Sequence, residues 1–294
     1  MRPPHPHVAT VLVQAAGLAT GGPAPVTGAD RTQSPIYPRT ERRRRIEPPM
    51  GTLVLDIETA SPFEEPPENS NETRYFEWFA VGLAYVDDLD DDPETAVLFR
   101  RGDWGDAHTT DLFERLFDYC DQRTVDRVLT YNGAWFDAKH LLNWAEALDA
   151  TAESEIHART EHLFENHVDV ALAAADEYAD ELWDDQHILP DWKAYDLAGI
   201  DNDSVWYDDY EFPDTYLDEI DGKAMQGRHI GRVIGERYVD NVTAGIEATS
   251  VHGELTRLLE DYCRSDVADL VALYTTLGGP DLDDTYRRPP NAIA

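Results

Sequence analysis

Thr52-Leu53-Val54-Leu55-Asp56-Ile57-Glu58-Thr59 is the stretch that decides how the chain folds. The apolar trio Leu53, Val54 and Leu55 reads as a strand buried on both faces. Side chains alternate along a strand, so Asp56 and Glu58 project from the same face at its end. Two such carboxylates repel one another unless a cation lies between them. Oxygen ligands of this kind suit Mg²⁺ or Mn²⁺. Chance competes with this reading, because Asp and Glu make up 59 of the 294 residues. A second Asp-x-Glu stands at Asp209-Tyr210-Glu211, but no apolar strand leads into it.

Beyond this strand, a polar loop rich in Pro, Glu and Asn covers residues 61–73, and Trp78–Val86 reads as a second strand. Asp87–Asp92 lacks the Gly and the closing Glu of an EF-hand loop and reads as a solvated hairpin turn. Thr95–Phe99 is a third strand, and short connections make the three an antiparallel meander. Helical spacing of Leu112, Phe113, Leu116 and Phe117 predicts a helix over Asp111–Cys120 with Asp111 as its cap. Arg127–Tyr131 is a strand, Asn132-Gly133 a turn, and Ala134–Leu148 an amphipathic helix. His167–Val170 is a further strand that leads into a helix over Ala171–Leu182. Residues 183–249 show no clear period and are expected to be an irregular insertion, with a basic cluster over Lys223–Arg237. There Arg228 and Arg232, four apart, share a helical face. They suit either contacts to phosphates or ion pairs within an acidic protein. A last helix spans about Val251–Leu277, with a break expected near Cys263–Ser265. The pattern predicts an α/β fold, a mixed sheet with helices packed on it.

Composition bounds what such a chain can be. An apolar content of 42% with 10% aromatics supports a core and excludes a disordered acidic tail. The formal charge of −35 accompanies only three lysines, Lys139, Lys193 and Lys223. This balance points to a cytosol of very high salt, where the Debye length is about 3 Å at 1 M. Refolding at falling KCl tests that hypothesis, and full stability at low ionic strength contradicts it. The acidity therefore does not exclude a nucleic-acid partner.

Cys120 and Cys263 form neither a disulfide framework nor a zinc pattern, which fits a reducing cytoplasm. No apolar run reaches the roughly 18–20 residues of a membrane span, so no membrane partner is expected. Val8–Thr20 resembles a short signal core, but its flanks are wrong for one. Residues 1–49 hold seven Arg against three acidic residues, a net of +4, which leaves −39 for residues 50–294. They are read as a disordered basic extension, or as the result of a start set upstream of Met50. A basic arm touching phosphates is the functional alternative. His157, His162 and His167 recur every five residues, a spacing that leaves one helical face, so they predict no second metal site.

Two further carboxylates fall where a metal site needs them. Asp137 lies in the first turn of the helix after Tyr131-Asn132-Gly133, and Asp266 lies in the last helix with Tyr262 one turn earlier. Leu-Asp-Ile-Glu-Thr at 55–59, Tyr-Asn-Gly-Ala-Trp-Phe-Asp at 131–137 and Tyr-Cys-Arg-Ser-Asp at 262–266 occur in that order. Together they resemble the three motifs of the DEDD-type 3′–5′ exonucleases of ribonuclease H-like fold. The Tyr-x-x-x-Asp form matches the tyrosine subgroup. None of the ten histidines has Asp five positions later, as the sister subgroup requires. A decoy at Tyr210 and Asp214 contains Pro213. The middle motif is similar to that of the proofreading domain of family B DNA polymerases and of stand-alone ribonuclease H-like relatives. His167-Val168-Asp169-Val170 is similar to the strand that follows in those domains. The resemblance covers about residues 50–180 and 250–277.

That resemblance implies two divalent ions, Mg²⁺ or Mn²⁺, and two-metal phosphodiester hydrolysis. It implies that Asp56 bridges both ions, that Glu58 and Asp266 hold the one that activates water, and that Asp137 supports the other. Tyr262 would orient the attacking water. Thr59, Asn132, Phe136, Arg228 and Arg232 are candidates for substrate contact, although Asn132 and Phe136 read first as a turn residue and a buried ring that shape the loop and core. The expected activity is release of nucleotides from the 3′ end of single-stranded DNA or RNA. The alternatives are endonucleolytic or structure-specific cleavage with the same metals, a nucleic-acid-binding protein without turnover, or an acidic interaction module.

Overall fold

The computed structural model describes residues 50–151, 155–183, 186–214 and 216–293, so the expectation for residues 1–49 lies outside it. Thr52–Ala60 (β1) is the central strand of a five-stranded sheet. It pairs antiparallel with Glu77–Val86 (β2), which pairs antiparallel with Glu94–Phe99 (β3). On its other edge β1 runs parallel to Arg127–Thr130 (β4), and β4 runs parallel to His167–Asp169 (β5). The order is β3-β2-β1-β4-β5, the mixed sheet expected from the sequence.

The helices follow in chain order as Asp106–Asp121 (α1), Asp137–Thr151 (α2), Ile156–Leu163 (α3), Val170–Glu177 (α4) and Asp191–Ala198 (α5). Next come Gly227–His229 (α6), Gly235–Thr243 (α7), Ser250–Ala268 (α8) and Leu270–Leu277 (α9). Alternation along β1 assigns its side chains to two cores. Leu53, Leu55 and Ile57 pack with Leu112, Phe113 and Leu116 of α1 and Leu141 of α2. Val54 faces the other way, against Leu270, Val271 and Tyr274 of α9 and Ala194 and Tyr195 of α5. Leu53, Val54 and Leu55 are all within 1% of complete burial, and each such side chain stabilises by about 1.5–3 kcal/mol. Asp56 and Glu58 continue the Val54 face beyond the end of that core.

The structure departs from the sequence expectations where polar residues hide helical turns. Helix α1 begins at Asp106 after Gly105, one turn and more before Asp111, which instead pairs with Arg115 at 2.9 Å. Residues 134–136 are turn rather than helix, and α2 starts at Asp137. Helix α3 was not expected, and the helix after β5 stops at Glu177. The segment 183–249 carries helix α5 and a nearly continuous helix over α6, a π turn at Ile230–Ile234 and α7. The last helix breaks at Asp269 rather than near Cys263–Ser265. Asp87–Asp92 holds a turn closed by Asp91 N–H on the Asp88 carbonyl at 3.0 Å. No helix among the described residues is long and apolar enough to cross a membrane.

Candidate active site

Two glycines bring distant helices onto the end of β1. Gly82 of β2 lies opposite Asp56, and a Cβ there would sit 2.6 Å from the Cys263 carbonyl oxygen. Only hydrogen at that position lets the α8 backbone approach β2 so closely, which delivers Tyr262 and Asp266 beside Asp56. Gly231 in the π turn plays the same part, since its Cβ would meet the Thr59 carbonyl oxygen at 2.6 Å. The β1–β2 register shifts between Glu58 and Thr59, an irregularity of the kind that re-aims side chains beside active sites.

The turn after β4 is fixed from β5. Asp169 accepts hydrogen bonds from Asn132 N–H at 2.8 Å, Ala134 N–H at 3.1 Å and Ala171 N–H at 3.2 Å. This anchors Asn132 in the left-handed region, at φ 64°. Asp137 then stands at the start of α2 with Oδ1 accepting the Ile57 N–H at 2.8 Å. That bond clamps α2 to β1 between its two carboxylates.

The result is a cleft of about 270 Å³. Asp56, Glu58, Asp137, Tyr262 and Asp266 all line it, with Thr59, Asn132 and Phe136. Arg228 and Arg232 do not line it; Gly227 does, and Arg232 pairs with Glu65 at 3.3 Å. The decoy Tyr210 lies elsewhere, donating to Asp261 at 2.8 Å. The three evenly spaced histidines separate, His157 facing Glu161 and His162 facing Glu165, while His167 is buried against Thr130. Asp191, Tyr195, Tyr131 and Gly227 also line the cleft and were not expected there. Residues 183–249 were expected to be irregular, and nothing local to that stretch aims α5 at β1.

No Lys, Arg or His is among the residues lining the cleft. Burial pushes the Asp56 carboxyl well above its ordinary range, followed by the charges of Asp137, Glu58, Asp266 and Asp191. Glu58 and Asp266 are raised in the same way, burial first and neighbouring carboxylates after it. Burial pushes Asp137 up to about 7, against the pull of the Ile57 N–H. Burial, with the Asp266 charge next, holds the Tyr262 phenol far above its usual range, so it stays protonated. Asp56, Glu58 and Asp266 each offer an oxygen within 4.8 Å of the others, the one such group among the described residues. Unneutralised, clustered carboxylates of this kind fit a divalent cation rather than a set of ion pairs.

No protein-family model matches the chain, and no curated protein sequence does. Among solved structures it is similar to the family B DNA polymerase of the hyperthermophilic archaeon Pyrobaculum calidifontis, at 14% identity and a TM-score of 0.44 over 84% of this chain and 27% of that one. It is also similar to E. coli exonuclease I in complex with a dA16 oligonucleotide, at 14% identity and a TM-score of 0.32 over 72% of this chain and 42% of that one. An exonuclease I structure in an SSB-Ct complex gives 13% identity and a TM-score of 0.34 over 72% and 43%. The chain thus spans about a quarter of the polymerase and under half of exonuclease I. At these identities and TM-scores the similarities carry no functional weight.

Proposed function

We propose that the chain is a metal-dependent nuclease, a DEDD-type exonuclease of the tyrosine subgroup that hydrolyses single-stranded DNA or RNA from the 3′ end. The observation that carries this reading is the convergence of Asp56, Glu58, Asp137, Asp266 and Tyr262 on one cleft without a basic side chain in its lining. Asp56 would serve two cations, Mg²⁺ or Mn²⁺, with Glu58 and Asp266 on one and Asp137 beside the other. When bound, such ions stabilise the attacking and leaving oxygens of a phosphodiester under hydrolysis.

The chain's own groups do the rest. Tyr262, locked in its protonated form, holds and orients the attacking water as a hydrogen-bonding phenol and does not take its proton. Asn132 keeps a buried Oδ1 without a partner among the described residues, an acceptor that a donor on the terminal nucleotide would reach only if the turn opens toward the cleft. Phe136 lines the cleft and packs on the half-buried ring of Phe76, 5.6 Å away, and the buried ring of His140, 4.5 Å away. Its free edge gives the base or sugar an apolar wall. Gly227 leaves its part of the lining without a side chain, and the adjacent exposed Arg228 would contact the following phosphate. Arg232, exposed and paired with Glu65 at 3.3 Å, is a second candidate for such a contact.

The test is cleavage of labelled single-stranded DNA and RNA in molar KCl with Mn²⁺ or Mg²⁺. Wild-type protein should cut, and EDTA or Asp56→Ala should abolish cutting. A folded wild-type protein that binds strands without cutting them would instead be a nucleic-acid-binding relative.

A further inference from the structure

We propose that Asp191 is a fifth carboxylate of the cation site, brought to the cleft by helix α5 from the segment the sequence left without a period. The proposal rests on the metal-dependent reading of the cleft and adds a residue to it.

Asp191 is an exposed residue, and its place in the lining of this cleft is what separates it from the other exposed carboxylates of this chain. It lines the same cleft as Asp56, Glu58, Asp137 and Asp266. Its backbone is held firmly: Pro190 precedes it at φ −58°, and the Tyr131 hydroxyl donates to the Leu189 carbonyl at 2.8 Å. Tyr131 follows β4, so this bond ties the start of α5 to the sheet edge beside β1. Behind Asp191, Ala194 and Tyr195 are buried in the core shared with α9, which fixes the helix direction.

A simpler role exists, because the Asp191 carboxylate accepts the Trp192 N–H and so caps its own helix. Capping needs only a neutral acceptor such as Asn or Ser, and it does not explain a negative charge that acts on Asp56 and Asp266. Asp191 takes part in no ion pair among the described residues, and it is the strongest charged neighbour of Asp266. Of the other four carboxylates, Asp137 has one oxygen committed to Ile57 N–H, and Glu58, only 6% exposed, has no protein hydrogen-bond partner among the described residues. Glu58 is thus a buried, unpartnered acceptor aimed into the cleft. A cation bound there shares the cleft lining with Asp191. Asp191 is a positioning residue in this account, raising cation affinity without touching the strand.

Asp191→Asn preserves the cap and removes the charge. Its Mn²⁺ affinity, measured by calorimetry on the full chain in molar KCl without nucleic acid, should fall about 10- to 100-fold. Asp196→Asn, an equal charge change on the same helix outside the cleft lining, should leave it unchanged. In EDTA, Asp191→Asn should melt higher than wild type, because a repulsion has been removed. Asp191→Ser keeps a first-turn acceptor and is read in the same way if the Asn variant does not fold. Unchanged Mn²⁺ affinity in a variant that folds, with affinity lost in Asp56→Ala, would leave Asp191 as a cap and overturn the proposal. Wild-type protein that binds no Mn²⁺ overturns it together with the metal reading. If Mn²⁺ binding depends on Asp191 but no strand is cut, the proposal stands and the nuclease reading falls.

Discussion

Asp137→Asn should stabilise the metal-free protein. Burial pushes the Asp137 carboxyl from 3.8 to about 7. The folded state therefore binds a proton that the unfolded chain releases near 3.8, and the sign follows from linkage. The stability contributed by this group is complete below pH 3.8 and is lost as pH rises through about 7. At 1.36 kcal/mol per pH unit, the ionised carboxyl costs the metal-free fold about 4 kcal/mol at pH 8. Asn removes that cost and keeps an acceptor for Ile57 N–H, although a neutral acceptor gives back about 1 kcal/mol. The net gain of about 3 kcal/mol corresponds to a rise in Tm of roughly 6–12 °C for a domain of this size. Thermal melts in EDTA and molar KCl, at pH 5 and pH 8, measure it. The variant should lead at pH 8 and converge on wild type at pH 5, and saturating Mn²⁺ should shrink or reverse its lead. An Asn variant that melts below wild type at pH 8 in EDTA would refute the claim that uncompensated charge is stored in this cleft.

Three other substitutions test the frame around the site. Gly231→Ala places a methyl against the Thr59 carbonyl oxygen and should destabilise by about 1–3 kcal/mol in chemical denaturation, since that backbone contact has no slack. Asp283→Ala should cost about 3–5 kcal/mol by the same measurement, because it strands the buried Arg127 guanidinium that Asp283 pairs at 2.6 Å. Tyr262→Phe should lower kcat about 100-fold while leaving Mn²⁺ affinity within a few-fold of wild type, as expected of a group that orients water and does not hold metal.

The residues that were legible in the sequence carry their meaning locally. Leu53–Leu55 announce a doubly buried strand by composition, Asp56 and Glu58 share a face by alternation, and Tyr262 and Asp266 share one by i,i+4 spacing. The illegible parts depend on partners far along the chain. Asn132 adopts its left-handed conformation because Asp169 of β5 gathers the N–H groups of its turn, so the start of α2 could not be placed from residues 131–137 alone. The first turn of α1 is polar, Asp106 to His108, and shows no apolar period although Gly105 precedes it. Asp191 is one acidic residue among 59, and its meaning comes only from the packing of α5 against the sheet. Gly82 and Gly231 likewise look unremarkable until the α8 and π-turn backbones are laid against them.

The most direct test is the order in which a strand is shortened. A single-stranded oligonucleotide labelled at its 5′ end, incubated with Mn²⁺ in molar KCl, should yield a ladder that loses one nucleotide at a time from the 3′ end. The ladder should be absent with Asp56→Ala. Release of the labelled 5′ nucleotide first, cuts confined to internal positions, or a ladder that survives Asp56→Ala would contradict the assignment of this cleft as a 3′–5′ exonuclease centre.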